Sequence, residues 1–386
     1  MFDPDEIPEL KAKIVGRALE DAKILDELRE DIRKIKHEVR AIRPRSATAV
    51  SLVASDGGNN AIVFDPFFVQ LVRVVDSYGK RLFLDVITPT TDPDELSAAQ
   101  FHADGSPKTA LGFLMREIGV NPLHLNELSH MIPKGEELRK SPSEVSSSWV
   151  QVYRDLCEWA VLYERICNHE FATDTLIVRD GQLRSKLFRK DYFIRLRVSI
   201  EKKIRDVYRK DRRRIYLAGI AKRSKVISRY QLAMMLEDIF PVGEPRYVRI
   251  PRELESKAYI WGEYARGAEV TEGEAPKFVA GDMYLVRFGS RTGDPIWAVD
   301  ILSSQTEHAP EIFGYLLADA IDGFPVPLYP RCLQKAHEHA QVVGFDLDII
   351  QDQIYGAIRE LLRKERKEHI LEATRWIADA AERRYG

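Results

Sequence analysis

Two apolar runs in this chain stop on the same dipeptide, and that repetition constrains the fold more than any other feature. "SLVASDGG" (residues 51 to 58) and "TLIVRDGQL" (residues 175 to 183) each carry a β-forming run into Asp-Gly, at Asp56 and Asp180. A strand that only fills a core ends in a neutral turn, so a carboxylate there either caps the turn or is held for chemistry. Capping is the commoner use of one Asp-Gly. Two in matching context, flanking a helix that carries Glu, favour the chemical use.

The elements around these runs follow from periodicity. Residues 4 to 42 are expected as one long amphipathic helix, with Ile14, Leu25, Leu28, Ile32 and Ile35 among apolar residues spaced by threes and fours. Strands are expected at 49 to 55, 61 to 78 and 81 to 87. The links "GGNN" (57 to 60) and "SYGK" (77 to 80) are short enough for hairpins, and Pro66 marks a bulge or interruption in the second run. Residues 89 to 142 read as short helices in a long insertion. A helix over 143 to 170, the strand ending at Asp180, a basic helix over 186 to 212, a strand over 215 to 227 and a helix over 229 to 240 follow. Strands at 282 to 288 and 295 to 302 and helices at 307 to 321, 331 to 343 and 347 to 384 complete the chain. Three antiparallel strands followed by helix, strand, helix, strand is the order of a ribonuclease H-like α/β domain: a mixed sheet with flanking helices, here with long N- and C-terminal helices. The expected division is a helical extension over 1 to 45 for partner or dimer contact, a ribonuclease H-like domain over 46 to 343 with its insertion at about 89 to 142, and a helical segment over 344 to 386.

At 386 residues the chain can bury a substantial core. No run approaches eighteen uncharged apolar residues and the N-terminus lacks the order of a signal peptide, which predicts a cytoplasmic protein with no membrane segment. The three cysteines have no Cys-x-x-Cys spacing, so buried free thiols are expected rather than thiolate zinc. A net charge of −2 conceals asymmetry: residues 184 to 225 hold seventeen Lys/Arg against four Asp/Glu. A one-signed block of this size is expected to form a phosphate-binding surface.

Two carboxylates at adjacent strand ends suit a hard divalent cation, Mn²⁺ or Mg²⁺, which takes oxygen ligands and leaves positions for water and substrate phosphate. A Glu on the helix over 143 to 170 would complete the cluster. Glu158 and Glu164 are six apart and cannot share one face; Glu158 is preferred for its more apolar neighbours, with Glu164 as the alternative. Lys222, Arg223, Ser224 and Lys225 of "IAKRSK" are expected just beyond a strand, on a loop suited to DNA phosphates irrespective of sequence. Asp85 and Asp300 also lie in apolar runs and are read as structural.

"SLVASDGG", the helix with "CEWAVLYE", "TLIVRDGQL", "LAGIAKRSKVI" and "PLYPRCLQKAHEHA" occur in an order that resembles the NurA nucleases, partners of HerA-type hexameric translocases. The resemblance runs from about residue 48 to 343. It implies a ribonuclease H-like fold and a manganese- or magnesium-dependent nuclease, commonly a homodimer, that acts on DNA ends fed by the HerA-type ATPase. Position by position it makes Asp56 and Asp180 the strand-end metal ligands, Glu158 or Glu164 the helical carboxylate, and Tyr329 and His337 the late aromatic and imidazole. His337 is then a ligand of a second metal or a proton shuttle, and Tyr329 orients a phosphate or a ligand water, in a two-metal hydrolysis. This chain has Asp-Gly-Gly and Asp-Gly-Gln where the family generally has Asp-Gly-Ser. That departure motivates the competing expectation of a catalytically impaired, DNA-clamping adaptor that regulates the ATPase. The chain has no P-loop, so ATP hydrolysis falls to the partner.

Overall fold

The computed structural model describes the backbone of residues 6 to 45, 51 to 64, 67 to 141, 146, 148 to 259, 277 to 341 and 345 to 363; the side chains of residues 51 to 68 and 345 to 348 lie outside the description. In chain order the N-terminal half comprises α1 (Glu6–Glu20), α2 (Ala22–Ile35), β1 (Arg40–Ala41), β2 (Ser51–Phe64), β3 (Phe67–Asp76), β4 (Arg81–Ile87), α3 (Pro93–Ala98), α4 (Ala110–Ile118), α5 (Leu125–Leu128), α6 (Gly135–Lys140), α7 (Trp149–Asn168) and β5 (Thr175–Asp180). After it come α8 (Tyr192–Asp211), β6 (Ile215–Ala221), α9 (Lys225–Leu236), β7 (Arg246–Arg249), α10 (Arg252–Ala258), β8 (Gly281–Arg287), β9 (Ile296–Leu302), α11 (Ala309–Ala320), α12 (Arg331–Ala340) and α13 (Phe345–Arg363).

One mixed sheet of nine strands organises the chain, in the order β1-β7-β8-β9-β6-β5-β2-β3-β4. The meander β2-β3-β4 is antiparallel, while β5 lies parallel to β2 and β6 parallel to β5. This is the ribonuclease H-like arrangement expected from the element order. Four antiparallel strands, β9, β8, β7 and β1, then widen it.

Helices cover both faces. On β5, Leu176 and Val178 join a cluster with Phe313, Leu316, Tyr329 and Leu333 of the α11–α12 side, whereas Ile177 joins Trp159, Leu156 and Phe193 of the α7–α8 side. That alternation is the period-two geometry of a strand buried on both faces. A third cluster packs Ile32 and Ile35 of α2 and Tyr230 and Met234 of α9 against Met283 and Leu285 of β8. Among the described residues no helix is long and apolar enough to cross a membrane.

Several sequence expectations need correction. The long first helix is two helices, and α2 is followed by a 3-10 turn and by β1 at the sheet edge. "GGNN" is not a turn: β2 continues through it, paired with β3 from Ser55–Asp76 to Phe64–Phe67, which puts the link at residues 65 and 66, outside the described residues. The strand predicted over 215 to 227 ends at Ala221, because Ser224 caps α9 by accepting a hydrogen bond from the Val226 amide at 3.2 Å. β7 and α10 had no counterpart in the sequence reading.

The charged block is also divided. The Arg184 side chain is only 7% exposed, and Arg189, Arg195, Arg197 and Arg213 donate to backbone carbonyls of Asn126, Ile118, Val279 and Phe171. Arg209 to Arg214 lie before β6, and Lys222 to Lys225 after it. The two cationic groups therefore sit at opposite ends of a strand about 20 Å long at ~3.3 Å per residue, and they do not make one surface.

Candidate active site

Asp180 ends β5 with its carboxylate on the α12 side of the sheet. Tyr329 donates its hydroxyl to Asp180 Oδ1 at 3.3 Å, and Lys222 Nζ lies 3.1 Å from Oδ2. The Lys222 ammonium also stands over the Tyr329 ring, 5.2 Å from its centroid. Tyr329 is completely buried, stacked edge-on against Trp297 at 4.9 Å. Its backbone carbonyl accepts from Gln334 Nε2 of α12 at 2.8 Å, while Gln334 Oε1 accepts from the Val326 amide, so α12 pins the Pro-rich link that presents the phenol.

Glycine is needed here for geometry. Gly181 adopts φ of +105°, and a Cβ there would lie 2.4 Å from Arg179 Nη1. Gly219 on β6 lets the Gly181 carbonyl pass within 2.5 Å of where its own Cβ would be.

Asp56 does not end a strand as expected: it lies within β2, opposite Val75 of β3, because the ladder with β3 carries the strand on to Phe64. Ser55 pairs with Arg179 in the β2–β5 ladder, so position 56 follows at the level of Asp180 on the neighbouring parallel strand. Its side chain lies outside the described residues.

The candidate Glu residues are placed elsewhere. Glu158 Oε1 is 3.4 Å from Arg154 and Oε2 3.5 Å from Arg179, and the Arg179 guanidinium lies 4.6 Å from the Trp159 ring. Since consecutive strand residues face opposite ways, Arg179 and Glu158 share the α7 face while Asp180 faces α12. Glu164 lines a cleft with Lys80, Leu82, Arg165 and His169, where burial pushes its carboxyl above the usual range. His337 is exposed on α12 with Nε2 2.9 Å from Gln341 Nε2. Thus the structure unites Asp180, Tyr329 and Lys222. It does not unite either Glu with them.

Lys222, Arg223 and Ser224 form the turn from β6 to α9, and Lys225 begins the helix. Arg223, Ser224, Lys225, Ser228, Arg229 and Tyr259 line an open cleft of about 620 Å³. Asp300 is fully buried on the other face, accepting from Arg184 and the Leu183 amide, and Asp85 accepts from Tyr153 at 2.7 Å. Both are structural, as expected. Sequence reasoning missed Arg179; its signal was a lone cation inside an apolar strand, which requires a buried counter-charge.

Among the described residues no three His, Cys, Asp or Glu side chains are placed to hold a metal ion. The Asp180 carboxylate nonetheless suits a hard cation: the Tyr329 hydroxyl orients it, and a lysine ammonium already stands where positive charge is accepted.

No family model and no curated protein matches the chain. Among solved structures, the crystal structure of the NurA nuclease from Sulfolobus solfataricus is 14% identical, with 95% of this chain and 98% of that one covered and a TM-score of 0.44. A structure of NurA with manganese is 13% identical, with 94% of this chain and 99% of that one covered and a TM-score of 0.34. For NurA bound to dAMP and manganese the identity is 13%, the coverages 89% and 95%, and the TM-score 0.34.

Proposed function

We propose that the chain is a metal-dependent deoxyribonuclease that hydrolyses phosphodiester bonds at DNA ends. The observation that carries this reading is the strand-end group of Asp180, Tyr329 and Lys222, with position 56 beside Asp180 in register. Asp180 and Asp56 would hold Mn²⁺ or Mg²⁺, one ion or a pair, and the bound cation supplies Lewis acidity and an activated water. Tyr329 fixes the Asp180 carboxylate by donating to it. Arg223 and Lys225 offer two cations to non-bridging phosphate oxygens next to that centre, while the Ser224 hydroxyl is buried and caps α9. His337 is the candidate proton carrier, on a helix that packs across β2 and β5, and Glu158 or Glu164 the candidate third carboxylate. A HerA-type ATPase and a second copy of the chain are the partners that the sequence resemblance implies.

The adaptor reading is favoured by one observation, the engagement of Glu158 by Arg154 and Arg179. Incubation of the protein with linear duplex DNA and Mn²⁺ separates the two. Cleavage that Asp180→Asn and Asp56→Asn each reduce by at least about a hundredfold supports the nuclease. DNA binding without cleavage in the wild type supports the adaptor, and cleavage equal in wild type and variants removes Asp180 from the chemistry.

A further inference from the structure

We propose that Lys222 is a built-in competitor of the divalent cation: it neutralises Asp180 until a metal displaces it, and the released ammonium then contacts DNA. The inference rests on the nuclease reading above and assigns Lys222 a second, earlier task.

Three observations carry it. First, the ammonium already occupies a cation site with defined walls, 3.1 Å from Asp180 Oδ2 and 5.2 Å from the centroid of a fully buried tyrosine ring that Trp297 and Gln334 hold in place. Second, the pair is only half shielded: the Lys222 side chain is 40% exposed and Asp180 19%. An ion pair open to water holds by only a few-fold in an equilibrium constant, so a dication can replace it. Third, Lys222 can leave without moving the backbone, since its four-carbon stem springs from the exposed turn after β6, next in sequence to Arg223 and Lys225 of the open cleft. Arg179, the residue before Asp180, has no such freedom, because it donates to the Gln182 carbonyl at 3.1 Å and lies over Trp159.

Competition for one carboxylate has a thermodynamic consequence. Removing the lysine charge must strengthen cation binding, both by freeing Asp180 and by removing repulsion between the ammonium and a dication. The same change must weaken DNA binding. A lysine that merely braced the loop would not move these two affinities in opposite directions.

Calorimetric titration of the full chain with Mn²⁺ in the absence of DNA tests the proposal. Lys222→Met keeps the stem and loses the charge, and should lower the Mn²⁺ Kd about three- to tenfold. Lys222→Arg keeps the charge and should leave the Kd at or above the wild-type value. DNA cleavage should fall in Lys222→Met even though its cation affinity rises. An Mn²⁺ Kd in Lys222→Met that equals or exceeds the wild-type value overturns the proposal. If Asp180→Asn meanwhile abolishes Mn²⁺ binding and cleavage, the nuclease reading survives that failure. If Asp180→Asn binds Mn²⁺ and cleaves like wild type, the reading fails and this inference with it.

Discussion

Asp76, Asp180 and Asp300 each end or interrupt an apolar strand, and their partners separate their roles. Asp76 is the turn cap: its Oδ1 accepts from the Tyr78 and Lys80 amides at 3.0 and 2.9 Å, and Arg165 bonds its other oxygen. Asp300 is the buried counter-ion, fully enclosed with Arg184 between it and Glu255. Burial works against the Arg184 charge, but Asp300 and Glu255 outweigh it and raise its pKa. Asp300→Ala would leave a guanidinium buried with one partner fewer, so it should destabilise the protein by about 3 to 5 kcal/mol in chemical denaturation. Only Asp180 has its oxygens facing a phenol and a displaceable ammonium. Sequence context sets Asp180, between Arg179 and Gly181, apart from Asp76 and Asp300, which each follow valine, but it does not name the partner of any of the three. Partners distant in sequence decide among them: Arg165, Arg184, and Tyr329 with Lys222.

At the scale of elements, the N-terminal helices divide the labour that periodicity had assigned to one. α1 buries none of its residues and exposes Ile7, Ile14 and Leu19, whereas α2 places Ile32 and Ile35 in a core with α9 and β8. Deleting residues 1 to 20 should therefore leave the melting temperature nearly unchanged, while Ile32→Ala should cost about 2 to 5 kcal/mol. Calorimetry of both variants checks this, and it makes the shorter deletion the right probe of partner binding. α2 is also clamped to α9 by Glu237, which accepts from Arg33 at 2.8 Å and Arg29 at 2.6 Å; those hydrogen bonds hold its carboxyl down to about 2. A carboxylate whose pKa is lower folded than unfolded stabilises the protein above the unfolded value and loses that contribution as pH falls. The stability gap between wild type and Glu237→Gln should thus be constant above pH about 5 and close between pH about 4.5 and 2. Urea unfolding across that range measures it. No sequence pattern announced this clamp, because its halves are about two hundred positions apart.

For the whole molecule, β6 separates two groups of cations that the sequence presents as one block. If DNA lies at the Asp180 end, Lys222→Ala with Arg223→Ala should weaken binding to all sequences alike and flatten the salt dependence by about two in slope. Arg209→Ala with Lys210→Ala, at the far end of the strand, should change it less. Anisotropy titrations at several salt concentrations compare the pairs. The sequence by itself determined most of the element types, the antiparallel meander within a mixed sheet, and the Asp-Gly that ends β5. These depend on local periodicity and turn chemistry, which act over a few residues. Only tertiary structure decided that "GGNN" stays in a strand, since pairing with β3 satisfies a backbone that glycine would otherwise leave free to turn. It also decided what the two faces of β5 hold, setting Glu158 beside Arg179 on one and Tyr329 with Lys222 beside Asp180 on the other. Contacts across the sheet set those assignments, and the sequence does not carry distances between positions so far apart.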